Sequence, residues 1–316
     1  MLSRTAENIF WIARLTERAE NMARMLEMGY RMAMMPASGA GHRNEWRSII
    51  AAAGRKADFE ANYDATNQRM VCDYLIFDED NPSSILNCVR TARENARAIR
   101  TALTTEMWVA LNETWIELRD MSPAQMAAGG LPTFLDWMKG RTAQFRGATD
   151  SSMLRNDGYD FLRIGSFVER ADNTARLLDV KYYVLLPESE SVGGGIDNYQ
   201  WTTVLRALSS HRAFHHIYRS DYTPWSIADF LILNRQCPRS LLYCHSQLGE
   251  HLTQLSRRYG TRSQSLSRTN ILIARLADST ADDIFEVGLH EFLTDFIRQN
   301  SELSESLAAD FHFGWS

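Results

Sequence analysis

The sequence predicts an all-α protein, a multi-helix bundle in which one Glu-Arg-bearing helix occurs twice around a pseudo-twofold axis. Three observations carry this. Only 7 prolines and 17 glycines punctuate 316 residues, and most lie between segments, so little interrupts helix. Apolar residues recur at helical spacing, while strand-like runs are scarce; the longest, Tyr182 to Leu186, continues a helical pattern and stops at Pro187. Finally, the segment from Glu17 to Arg24 returns from Glu169 to Arg176, at an offset of 152.

The first helix is expected over residues 5–34, ending near Pro36 and the small residues 37–41. Shorter helices follow at 44–53 and 65–77. Asn81-Pro82 supplies an N-cap side chain with proline at the first helical position, launching 83–103, then 106–121. Ser122-Pro123 repeats that signal before 131–153 and 158–186. Residues 187–197, rich in Gly, Ser and Glu, read as a flexible linker. Beyond it come helices at 199–211, 224–234, 238–257, 265–276 and 281–311. The expected organisation is one helical domain over 1–316, with halves of about 1–155 and 156–316 and the flexible linker at 187–198.

Composition narrows the class. A 45% hydrophobic, 23% charged chain can fill a core. Its net charge of −5 argues against a general nucleic-acid or anionic-membrane binder. Cys72, Cys88, Cys237 and Cys244 have neither disulfide-scaffold density nor zinc-knuckle spacing. The polar start Met1 to Asn8 and the absence of a long apolar run predict a reduced, cytoplasmic setting.

The repeated motif has 8 identities in the 14 positions from Glu17 to Tyr30 and Glu169 to Tyr182. On a helical wheel Ile12, Leu15, Ala19, Met22, Leu26 and Tyr30 form an apolar stripe. Glu17, Glu20, Asn21 and Arg24 lie opposite, with Arg18 at the flank. The second copy sets Ile164, Phe167, Ala171, Leu178 and Tyr182 against Glu169, Asp172, Asn173 and Arg176, beside Arg170. Two readings follow. Either these are solvated faces laced by weak ion pairs, or they are a buried polar network, structural or ligand-binding. Apolar Phe10, Met28, Leu162 and Val180 on the acidic side favour burial.

Two further basic groups stand out. Arg90, Arg93, Arg97 and Arg100 step by 3, 4 and 3 along one helical stripe. Arg239, in Cys237-Pro238-Arg239-Ser240, is expected in a first helical turn, where the helix dipole does not favour a cation, so an acidic partner or ligand is implied. Arg219 is expected in the same patch. Catalytic templates are missing: there is no His-Glu-x-x-His around His211, His215 and His216, no phosphate-binding glycine loop and no Gly-x-Ser-x-Gly. No metal site and no intrinsic cofactor are expected.

The opening Met1 to Trp11, Glu17-Arg18-Ala19-Glu20-Asn21, the second Glu169-Arg170-Ala171-Asp172, the helix around Arg93-Glu94-Asn95, Trp108 with Asn112, Pro238-Arg239-Ser240 and Phe311-His312-Phe313 together resemble the bacterial alpha-E family over essentially the whole chain. The resemblance implies a partner role. Such proteins are encoded beside, or fused to, a circularly permuted ATP-grasp ligase, often with a transglutaminase-like peptidase, in systems predicted to make or trim amide-linked peptides. ATP and Mg would then be used by the ligase. The expectation is an accessory or co-catalytic subunit, as a single chain or a homo-oligomer, binding an anionic amino acid, a peptide or the ligase through the Glu/Arg stripes and the Arg93, Arg97, Arg219 and Arg239 groups. The alternatives are an enzyme with Glu17 or Glu169 as acid-base on a carboxylate or peptide substrate, and a purely structural scaffold. A carboxylate among arginines makes a poor base unless burial offsets its lowered pKa.

Overall fold

The structure, a computed structural model, describes residues 1–35, 45–184, 195–219, 222–261 and 263–314; the side chains of residues 127–128, 182–184 and 195–196 lie outside the description. Among the described residues all regular structure is helical, and there is no strand. The first half comprises α1 (Ser3–Ala33), α2 (Glu45–Ala52), α3 (Lys56–Asn62), α4 (Gln68–Cys72), α5 (Ile85–Ala98), α6 (Thr105–Arg119), α7 (Pro123–Gln125) and α8 (Leu131–Ser152). The second comprises α9 (Asp157–Val184), α10 (Gly195–Ala207), α11 (His211–Tyr218), α12 (Pro224–Ala228), α13 (Leu241–Tyr259), α14 (Gln264–Asp278), α15 (Ala281–Val287) and α16 (Leu289–Asp310).

Several expected boundaries are corrected. The helix expected at 281–311 breaks at Gly288, whose φ of +99° lies in the region that favours glycine. The span expected at 83–103 ends as a helix at Ala98 and closes with a 3-10 turn at Arg100–Ala102. Helix α10 begins at Gly195, inside the expected linker, and residues 185–194 lie outside the description, as do Pro36 and 37–41. Helices α3 and α11 are additional. The prolines of Asn81-Pro82 and Cys237-Pro238 do not open helices: Ser84 and Ser240 are the N-caps, accepting from the amides of Asn87 and Tyr243. At Ser122-Pro123 the expected arrangement, proline just inside the start, does hold.

Helices α1 and α9 form the central pair. Around it, α1 also packs against α5, α8 and α10, while α9 packs against α13, α16 and α2. Each half thus lays its own long helices on its central helix and sends a short one across to the other. Matching details accompany this. Asp73–Phe77 and Asp229–Leu233 are wide π-type turns, reading Asp-Tyr-Leu-Ile-Phe and Asp-Phe-Leu-Ile-Leu. Phe59 stacks on Tyr63 as Phe214 stacks on Tyr218, and each phenylalanine meets a third ring, Tyr74 or Phe230, edge-on.

Fully buried Ile9, Ile12, Met25 and Leu26 bind α1 into this core, each contributing about 1.5–3 kcal/mol. The helices approach closely at Gly165, where an added Cβ would run into the Phe10 carbonyl and come within 3.2 Å of Ala13 Cβ. A β-carbon there must push the central pair apart. Gly165→Ala is expected to lower stability by about 1–3 kcal/mol, read as a drop in urea midpoint; an unchanged midpoint would remove the close approach from the account.

Candidate functional site

The central pair keeps one register. Gly165 meets Phe10 and Ala13, Glu169 meets Arg14 and Arg18, and Arg170 meets Glu17. These contacts stay in step along both helices, so α1 and α9 run in the same sense. One turn beyond the glycine, the two Glu-Arg dipeptides exchange partners. Arg170 donates from Nε to Glu17 Oε1 at 2.9 Å and from Nη2 to Oε2 at 3.2 Å. Reciprocally, Arg18 donates from Nε to Glu169 Oε1 at 2.5 Å and from Nη2 to Oε2 at 3.0 Å, and Arg14 adds a bond to Oε2 at 2.8 Å. Both are fork-on-carboxylate contacts, the geometry in which arginine is strongest.

The solvated reading fails here. Glu17, Glu20, Asn21, Arg24, Glu169, Arg170 and Asn173 are all buried, and Glu20 has no exposed surface. The side of the wheel opposite the apolar stripe is enclosed by the surrounding helices. Burial opposes ionisation of Glu169, but Arg18 and Arg14 outweigh it and hold the carboxyl down at about 2. Burial also works against Glu20, and Arg239, Arg24 and Arg146 together overcome it, keeping that acid well below its ordinary value.

Glu20 is the hub of the first-half cluster. It accepts from Arg24 Nε at 2.9 Å, Arg239 Nη2 at 2.8 Å, Thr142 Oγ1 at 2.9 Å and from Arg146. Arg24 also reaches the Ala207 carbonyl at 2.5 Å and Ser209 Oγ at 2.9 Å. In the second half Asp172 accepts from Arg176 at 2.6 Å, and Arg176 lies 3.4 Å from the Ala52 carbonyl. Each i,i+4 arginine therefore caps the C-terminal end of the short helix that crosses over from the other half.

Arg239 does have an acidic partner, Glu20, although the residue sits in the turn before α13 and not in its first turn. The other basic groups do not join the cluster. Arg93 donates to Asn112 at 2.8 Å and, with Arg100, faces the Trp108 ring. Arg97 is exposed on α5. Arg219, expected beside Arg239, is exposed at the end of α11 with φ +58°, while Arg239 is buried. Arg14, Thr142 and Arg146 belong to the site and are absent from the sequence reading. Arg14 was findable, being one turn before Arg18; nothing near Thr142 or Arg146 repeats the motif. No group of three or more His, Cys, Asp or Glu suited to a metal occurs among the described residues.

This geometry defines a class: an all-helical protein whose two central helices each carry a Glu-Arg dipeptide and lock each other by exchanging the pair. The chain belongs to the Alpha-E family, described as a predicted alpha-helical domain with a conserved ER motif, whose sequence profile matches residues 1–312. It is similar to uncharacterized proteins of Mycobacterium bovis and of Mycobacterium tuberculosis, 23% identical over 322 residues, covering 96% of this chain and 35% of each relative. The chain therefore spans about a third of the length of the curated relatives it matches. No solved structure matches it.

Glu169→Gln is expected to cost about 3–5 kcal/mol at pH 7, because Arg14 and Arg18 lose their buried counter-charge. The folded carboxyl lies near 2 against an ordinary 4.5, so its stabilisation is present above about 4.5 and is lost as pH falls towards 2. The stability gap between wild type and variant, measured by urea unfolding, should narrow across that window. A gap independent of pH would contradict the assignment.

Proposed function

We propose that this chain is an accessory subunit of an ATP-grasp-type amide or peptide ligase system. The observation that carries the reading is how the motif acids are used. Both Glu17 and Glu169 are clamped by arginine forks, and Glu169 is held near 2. A carboxylate held as Glu169 is makes a weak base at neutral pH, which sets the reading of an enzyme with its own acid-base pair second. A subunit that binds and positions needs no such base.

Two further observations support it. The curated relatives are close to three times as long as the matched region, so there the equivalent helical unit sits beside a large further stretch of polypeptide. The outward-facing basic groups also lie apart from the clamp: Arg97 is exposed on α5, next to Arg93 and Arg100 over Trp108. The proposal assigns an acidic partner surface to that ridge, because arginines enclosed around Glu17 and Glu169 cannot reach another protein. ATP and Mg act at the ligase. A transglutaminase-like peptidase is a second partner of the same system.

The matched helices and the exchanged Glu-Arg pairs also support two like halves forming one domain. The purely structural reading keeps the clamp and drops the partner. The separating experiment co-expresses the chain with a circularly permuted ATP-grasp ligase and follows ATP-dependent amide formation. A stable complex and faster turnover are expected, with both weakened about tenfold by Arg97→Glu. No complex and no change in turnover would overturn the proposal.

A further inference from the structure

The first-half cluster is unbalanced. Glu17 and Glu20 face Arg24, Arg146, Arg170 and Arg239, leaving two positive charges over in a largely buried place. In the second half Glu169 and Asp172 face Arg14, Arg18 and Arg176, leaving one. The difference has a local source: where one half reads Cys237-Pro238-Arg239-Ser240, the other reads Asn81-Pro82-Ser83-Ser84. Burying uncompensated charge is costly. The strain is visible at Arg239, where burial and then the like charge of Arg24 pull the guanidinium down to about 10, and where Nη1 has no partner. Nor does the neighbouring Cys244 supply an anion, since burial pushes its thiol up to about 12.

The cluster opens to one side. A cleft of about 280 Å³, mouth included, lies against Glu17 between α8 and α9 and is walled by Thr16, Arg146, Thr149, Arg163 and Ser166. Thr16 and Thr149 spend their hydroxyls on the carbonyls of Ile12 and Phe145, and Arg146 Nη1 also lies 3.5 Å from Glu17, but other donors remain. Arg163 Nε is buried without a hydrogen bond, and Nη1 stands 3.9 Å from the exposed Asp150. Stacking of the Arg163 guanidinium over the Phe167 ring at 4.7 Å holds it in place. Among the described residues the Ser166 hydroxyl has no hydrogen-bond partner. Arg146 reaches inward to Glu20 with Nη1 alone. Two guanidiniums and a free hydroxyl thus line one narrow opening beside a surplus of positive charge.

We propose that this cleft binds a small oxyanion, a carboxylate or a phosphate group, between Arg146 and Arg163, with Ser166 donating the third hydrogen bond. The interior takes a body of about water size, so one oxygen enters and the rest of the ligand stays at the mouth. The inference rests on reading the first-half cluster as a binding region and is independent of the ligase.

Calorimetric titration of the full chain with sodium phosphate and, separately, sodium acetate tests it, each at constant ionic strength against chloride. Saturable binding of at least one anion is expected, and the tighter of the two identifies the headgroup. Arg163→Gln should weaken it at least tenfold in a protein that still unfolds cooperatively. Ser166→Ala, which touches no ion pair, should weaken it several-fold and serves if the arginine variant does not fold. No saturable binding of either anion, or undiminished binding in the variants, would overturn the site. Lost anion binding with an intact ligase complex would sink only this inference; anion binding without a complex would sink only the partner role.

Discussion

The exchange of carboxylate and guanidinium between α1 and α9 is the constraint on which the rest of the molecule depends. Charges so well enclosed persist only when each is matched in geometry and in number of hydrogen bonds. The bidentate pairs Glu17–Arg170 and Glu169–Arg18 meet that requirement, and they fix the register of the two helices as no apolar seam does. Gly165 permits the approach, and Arg24 and Arg176 extend the network to the ends of α10 and α2. A shift of one helix by a single residue would separate every pair at once.

Much of the helical content was legible from the residues. Proline and glycine placement marked most gaps, and the returning Glu-Arg segment picked out the two helices that turn out to be central. The surroundings of that motif were not legible. The wheel sets Glu17 and Glu20 opposite the stripe of Ile12 and Leu26, and apolar Phe10 and Met28 on that side pointed to burial; what it does not show is which helices enclose the face, and these are α5, α8 and α13 around the pair. Arg146 lies far along the chain from the motif it serves, and α8 brings it to Glu20. Conversely, Arg219 is close in sequence to Arg239 yet exposed at a helix end, because the π-type turn at Asp229–Leu233 and the following loop separate the two.

The local likenesses between the two charged clusters make their differences informative. Both carry a clamp, a crossing short helix ended by an arginine, and a serine-capped helix after a proline turn. The first-half cluster alone adds Arg239 and Arg146, gaining positive charge beside a cleft. Structural need accounts for the shared part. The added arginines exceed what the acids require, so they are where a binding role is to be sought.

The central claim is that Glu17 and Arg170 act as one buried unit. A double-mutant cycle with Glu17→Met, Arg170→Met and the double variant, read as unfolding free energies, tests it most directly. The account predicts that each single change is severe and that the double variant recovers part of the loss, giving a coupling of about 1–3 kcal/mol. Additive single effects, with no recovery, would mean that the two side chains do not depend on one another and that the exchange is not what joins the helices.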